Sequence, residues 1–288
     1  MRGLEGRVAI ITGAGRGIGR EHALLFARAG AKVVVNDLDG STGTATSPAH
    51  QVVEEIRAMG GVATTNTDNV ADWGGARRIV DQALSEFGEL DVVVNNAGIL
   101  RDAFVTDITE QQWDDVIAVN LKGHAGLIHH AAAYWKARGK AGHPVNASVV
   151  NTSSGSGSTS VVLRELNYAA TKAGILAMTQ VAALELERYG VRVNAITPLA
   201  RTRLTEDTAG IKDRVAKPET GLDLWEPAQI SPLVAFLAQE NCPITGRVFA
   251  VRGGQIDELA GWRTVRSVTS EKPWTVEDLS AVDWNTTP

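Results

Sequence analysis

Short runs of β-branched residues alternate along the chain with longer stretches of helical periodicity. The strand-like runs are Arg7 to Thr12, Lys32 to Asp37, Val62 to Asn66, Asp91 to Asn95, Ser148 to Thr152, Arg192 to Thr197 and Arg247 to Val251, which predicts seven strands. The early ones (VAII, VVV, VVV) are nearly continuous in apolar character, as expected of a parallel sheet covered by helices on both faces. Between them, apolar positions recur at helical spacing over about Ile18 to Ala29, Pro48 to Met59, Trp73 to Phe87, Glu110 to Arg138, Tyr168 to Arg188 and Pro227 to Gln239. This alternation predicts an α/β fold, a doubly wound seven-stranded parallel sheet flanked by helices.

The stretch GSTGTATSP after the second strand has the composition of a linker, but it interrupts a β-α-β unit and reads as a surface loop insertion. Residues 1–260 are expected to form one domain. Residues 261–288, with three of the seven tryptophans and a helix-start signal at Thr275 and Asp278, read as an extension docked on or near its substrate side. Composition narrows the class of partner. A formal charge of −5 gives no footprint for nucleic acid or an anionic membrane, and no apolar stretch approaches the roughly 20 residues of a membrane span. Cys242, the only cysteine, can form no internal disulfide and reads as a small buried hydrophobe. With no signal-like N-terminus, the expected location is the cytosol.

Candidate chemistry gathers at two places. Directly after the first strand, Thr12-Gly13-Ala14-Gly15-Arg16-Gly17-Ile18-Gly19 runs into a helix, so backbone N–H groups and a helix N-terminus can face a pyrophosphate. The second strand ends in Asn36-Asp37, 18 residues after Gly19, where a carboxylate accepts hydrogen bonds from a ribose and repels a 2′-phosphate. Arg16 argues for that phosphate, but Asp37 makes NAD the expected cofactor over NADP. Farther along, Tyr168 and Lys172 are one helical turn apart and share a face. A phenol beside an ammonium is suited to proton transfer. Ser154 follows the fifth strand, where sheet ligands gather, and Asn120 lies inside a helix to whose stability it adds nothing. Asn95-Asn96-Ala97-Gly98 ends the fourth strand with small residues that let a ligand approach. His124, His129, His130 and His143 lack a matching acidic or cysteine set, so no metal site is expected.

In order and spacing, TGAGRGIG, Asn36-Asp37, Asp68-Asn69-Val70, NNAG, Asn120, NTSS, YAATK and the Pro198 segment resemble the short-chain dehydrogenase/reductase family from about Arg7 to Gly254. The resemblance implies a Rossmann fold and an oxidoreductase of secondary alcohols and ketones, assembled as a homo-oligomer, either dimer or tetramer. It implies Tyr168 as acid/base, Lys172 lowering the Tyr168 pKa and holding the nicotinamide ribose, Ser154 orienting the substrate oxygen, and Asn120 anchoring a water. Gly13, Arg16, Gly17, Ile18, Gly19, Asp37, Asp68, Asn69, Asn95, Ala97 and Gly98 would line the cofactor, with Pro198 and Thr202 at the carboxamide. Two features depart from the pattern: Ser154 stands 14 residues before Tyr168 with Ser153 as a competitor, and Leu199 replaces the common glycine. NDLDG, GILRD and EKPWTVEDL are similar to the (3R)-hydroxyacyl-CoA dehydrogenase subgroup, which implies a bulky 3-hydroxyacyl or comparable carbonyl substrate. Arg201 and Arg203 read as exposed arginines at a helix start, with an anionic substrate tail as the other possible use.

Overall fold

The structure, a computed structural model, describes residues 3–38, 47–202, 205, 215–221, 223–261, 264–282 and 284. The expected strands are β1 Val8–Thr12, β2 Lys32–Asn36, β3 Val62–Asn66, β4 Val92–Asn95, β5 Ala147–Thr152, β6 Val191–Pro198 and β7 Val248–Arg252. All are parallel, in the order β3-β2-β1-β4-β5-β6-β7. An eighth strand, β8 Gln255–Glu258, extends the predicted sheet by one antiparallel edge. Its turn is Gly253-Gly254, with Arg252 opposite Gln255 and Gly254 at φ +64°, a conformation open to glycine at no steric cost.

Alternation along the buried strands divides the core into two layers. Ala9 and Ile11 of β1 face one side with α1 Gly17–Arg28, α2 Pro48–Ala58 and α7 Ser231–Leu237. Val8 and Ile10 face the other with α3 Trp73–Phe87, α5 Gly123–Lys140 and α6 Leu166–Leu186. Each strand thus buries both faces, which is why its sequence is continuously apolar. Trp135, 1% exposed, secures α5 to the loop before β4 through Nε1 donating to the Leu90 carbonyl at 2.7 Å.

The long helix expected from Glu110 to Arg138 is not one regular helix. It is α4 Glu110–Val116, a π-helical turn Ile117–Lys122 and then α5. Asn120 lies in that turn with its amide bound to Ile99, a tertiary contact that periodicity cannot report. From Leu259 onward the chain forms a separate compact unit. It contains α8 Val276–Ser280, opened by the expected capping box of Thr275 and Asp278. Most of the GSTGTATSP loop lies outside the described residues; its end is described, where Ser47 caps α2 by accepting from His50 N.

Candidate active site

A cleft of about 440 Å³ opens at the carboxyl ends of the strands, across the point where the sheet order reverses between β1 and β4. Gly13, Arg16, Gly17 and Ile18 line one end. Gly13 holds φ +61°, and a Cβ there would stand 2.8 Å from the Ala97 Cα, so the turn and the β4 loop meet backbone to backbone. Gly19 does not line the cleft; a Cβ on it would overlap the Gly13 carbonyl, so its role is to let α1 close on the turn. The first turn of α1 has no side-chain cap and no acidic residue, which leaves its N–H groups available to an anion.

Asp37 lines the same end, and its Oδ2 accepts from Gly15 N at 2.9 Å. Arg16 is exposed at the rim. Asp68 and Asn69 also line the cleft. Asp68 is fixed by Asn66 Nδ2 at 3.0 Å and Arg78 Nε at 2.6 Å. Ala97 and Gly98 are on the lining, but Asn95 is buried behind it, donating to Asn151 Oδ1 at 2.9 Å. Pro198 and Thr202 reach the cleft from the end of β6, and Thr202 comes within 3.5 Å of where a Gly17 Cβ would be. These residues fit a dinucleotide: a glycine cradle that side chains would fill, free helix N–H groups, and a carboxylate one strand away.

At the other end Tyr168, Lys172 and Ser154 converge. The Lys172 Nζ lies 5.3 Å from the Tyr168 ring centroid and donates to the Thr152 carbonyl at 2.8 Å. Asn120 is set back from the lining, 0% exposed, with Oδ1 accepting from Ile99 N at 2.8 Å and Nδ2 donating to Ile99 O at 3.1 Å. Gly98 packs beside both groups: a Cβ on it would lie at ordinary contact distance, 3.4 Å from Asn120 Oδ1 and 3.7 Å from Lys172 Nζ. Ser153 donates its hydroxyl to the Lys172 carbonyl at 2.7 Å, whereas Ser154 faces the Tyr168 phenol. Ser156 N donates to Ser154 Oγ at 3.2 Å, which holds that hydroxyl beside the phenol.

The electrostatics differ from the expectation that Lys172 lowers the Tyr168 pKa. Burial is the dominant influence on Tyr168 and pushes the phenol up to about 12, with a hydrogen bond from Ser154 acting in the opposite direction. Burial also pulls Lys172 down to about 7, so its ammonium is only partly charged at neutral pH. Arg201 is not an exposed arginine: its side chain is 18% exposed, paired with Asp223 and donating to the Val215 carbonyl at 2.9 Å. Arg203 lies outside the described residues. Among the described residues no three His, Cys, Asp or Glu side chains come together as a metal site.

Three contributors were not singled out from the sequence. Thr12 Oγ1 accepts from both Asn96 N and Ala97 N at 3.0 Å. Asn96 Nδ2 donates to the Thr12 and Gly13 carbonyls at 3.0 and 3.2 Å, which ties the glycine turn to the β4 loop. Glu165 is a buried carboxyl on the lining, and its position three residues before Tyr168 was the available signal.

A family profile described as short chain dehydrogenase matches residues 7–211. Hydroxyacyl-CoA dehydrogenase ChsB1 of Mycobacterium tuberculosis is 43% identical over 285 residues, covering 96% of this chain and 87% of that protein. The peroxisomal multifunctional enzyme type 2 of Mus musculus is 37% identical over 271 residues, 93% of this chain but 34% of that longer protein. A crystal structure of a short chain dehydrogenase from Mycobacterium avium has a TM-score of 0.87 at 45% identity, covering 96% of this chain and 93% of that one. With a family profile spanning most of the sheet and relatives alike along nearly the whole chain, the protein belongs to the short-chain dehydrogenase family of oxidoreductases.

Proposed function

We propose that this chain catalyses reversible hydride transfer between NAD(H) and a secondary alcohol or ketone, with a 3-hydroxyacyl thioester or comparably bulky carbonyl compound as substrate. One observation carries the reading: Tyr168, Lys172 and Ser154 share one end of a cleft whose other end is the glycine turn. Identity to a hydroxyacyl-CoA dehydrogenase supports the substrate class. Asp37, close to the glycine turn, supports NAD over NADP. Homo-oligomerisation, as dimer or tetramer, is supported by Val181 and Leu184 of α6, 56% and 78% exposed. The single buried Cys242 suits the cytosol.

When bound, the dinucleotide supplies or accepts the hydride at its nicotinamide ring. The protein supplies the proton and the geometry. For reduction, Tyr168 has the right form at rest, a neutral phenol held by burial, and gives its proton to the carbonyl oxygen as negative charge develops there. Ser154 donates to the same oxygen and holds it within reach of the phenol. Lys172, pinned by the Thr152 carbonyl, presents its remaining Nζ donors to a ribose hydroxyl and returns a proton toward Tyr168. Asn120, tied to Ile99 by one bond at each amide atom within its π-helical turn, would anchor a relay water.

Turnover tests the reading. Purified protein given NADH and the acetoacetyl thioester of N-acetylcysteamine should oxidise NADH saturably, and faster than NADPH. Absence of turnover with this thioester and with simple ketones overturns it.

A further inference from the structure

Glu165 is a buried acid for which the hydride-transfer chemistry has no use. It lines the cleft and is 4% exposed, at the N-terminal edge of α6 and three residues before Tyr168. A glutamate at a helix start ordinarily favours the free N–H groups there, but this side chain makes no cap. Its Oε2 accepts from Ser156 Oγ at 2.6 Å. Among the described residues its other oxygen has no hydrogen-bond partner, and no cation stands within ion-pair distance of either oxygen.

The charge beside it has the same sign. Ala103 N donates to the Arg164 carbonyl at 3.0 Å and Ala103 bridges to Glu165, which brings Asp102 alongside. Asp102 Oδ1 is buried, also without a partner among the described residues. Arg164 is the nearby cation; it acts on Asp102, and its guanidinium carbon lies 5.6 Å over the Phe104 ring. Two carboxyls that interact this way disfavour ionising together. Because Arg164 favours the charged form of Asp102 and is not among the influences on Glu165, Glu165 is the carboxyl of the pair that more readily keeps a proton. Burial raises both carboxyls; at Glu165 the hydrogen bond from Ser156 acts in the opposite direction and Asp102 adds to the rise, the net shift being upward. Tyr168, the remaining titratable neighbour, is neutral at physiological pH. The link from Glu165 through Ser156 to Ser154 then connects this acid to the place where the reacting oxygen would lie.

We infer that Glu165, carrying a proton, is a substrate-reading residue: it donates a hydrogen bond to a second carbonyl oxygen close to the reacting carbon. This rests on the hydride-transfer reading above and narrows its substrate to 3-oxoacyl and 3-hydroxyacyl thioesters, in which a carbonyl stands two carbons from the reacting centre. A free 3-oxo acid is disfavoured, because its carboxylate adds a further negative charge beside Asp102.

The test is the ratio of kcat/KM for the acetoacetyl thioester of N-acetylcysteamine to kcat/KM for cyclohexanone, which has no second carbonyl. Wild type, Glu165→Ala and Glu165→Gln are compared, with NADH affinity as the check on folding. One lost hydrogen bond to substrate lowers the ratio about tenfold in Glu165→Ala. Glu165→Gln keeps an N–H donor and stays within about threefold of wild type. The wild-type ratio falls as rising pH takes the proton from Glu165, whereas the Glu165→Gln ratio does not. An unchanged ratio in Glu165→Ala, a loss in Glu165→Gln as large as in Glu165→Ala, or a wild-type ratio that rises with pH overturns the inference. If Glu165→Ala fails to bind NADH, the Glu165→Gln pH profile decides alone. Wild-type turnover of cyclohexanone but not of the thioester refutes this inference while sparing hydride transfer; turnover of neither refutes both.

Discussion

Replacing Thr12 by valine isolates what one hydroxyl does for the architecture of the cleft. Thr12 ends β1, is 1% exposed, and its Oγ1 accepts from Asn96 N and Ala97 N, each at 3.0 Å. Its own donation to the Val94 carbonyl, at 3.5 Å, is too long to count for much. Valine has nearly the same shape, so no cavity forms, but two backbone donors lose their acceptor. A buried donor left unpaired costs about 1–3 kcal/mol. Asn96 and Ala97 line the cleft, where water relieves part of that cost, so the pair should amount to about 2–4 kcal/mol. Thr12→Ser is the control: it keeps the acceptor and gives up one buried methyl group, at about 1 kcal/mol. Urea unfolding of the three proteins gives the comparison, and NADH titration reports whether the turn has loosened. Thr12→Val should be the least stable and the weakest NADH binder. Stability equal to wild type, or greater than that of Thr12→Ser, would refute the view that this hydroxyl ties β1 to the β4 loop.

Burial pulls both His22 and His124 down to about 3 from an ordinary 6.5. The unfolded chain therefore binds protons that the folded chain refuses, so stability is full above pH 6.5 and declines toward pH 3, at up to about 1.4 kcal/mol per pH unit per histidine. His22→Gln should flatten that decline in urea melts taken across the window; an unaltered slope would count against it. Lys172 is 2% exposed and pulled down to about 7, so its burial opposes folding, and Lys172→Met should raise Tm while abolishing turnover. A lower Tm would show that the bond to the Thr152 carbonyl outweighs desolvation. Asp37→Ser, which removes the carboxylate near the glycine turn, should reduce the preference for NADH over NADPH by roughly tenfold, read as a ratio of kcat/KM values. An unchanged ratio would remove Asp37 from cofactor choice.

Much of the fold was legible because burial on both sheet faces leaves a plain trace. VAII and VVV could be parallel strands because Val8 and Ile10 serve one layer while Ala9 and Ile11 serve the other. The π-helical turn was not legible, since it accompanies the pairing of Asn120 with Ile99, 21 positions earlier. β8 was missed although its signal was present: Gly253-Gly254 between two short runs is a hairpin turn, but QIDE is too polar and exposed to announce a strand. At the site, spacing brought out Tyr168 and Lys172 because a helix converts spacing into proximity. The choice between Ser153 and Ser154 depended on which hydroxyl reaches the Lys172 carbonyl, and the burial of Glu165 depended on the Ala103 bridge; neither is written in local sequence. The pKa directions of Tyr168 and Lys172 were likewise set by tertiary burial, which adjacency in a helix does not reveal.

The measurement that bears most directly on the account is kcat of Tyr168→Phe beside its Kd for NADH. Losing one hydroxyl from a half-buried ring leaves the glycine turn, Asp37 and Lys172 in place, so NADH should bind within about threefold of wild type while kcat falls roughly 10²–10⁴-fold, the span a general acid contributes. Full turnover in that variant would contradict the account at its centre.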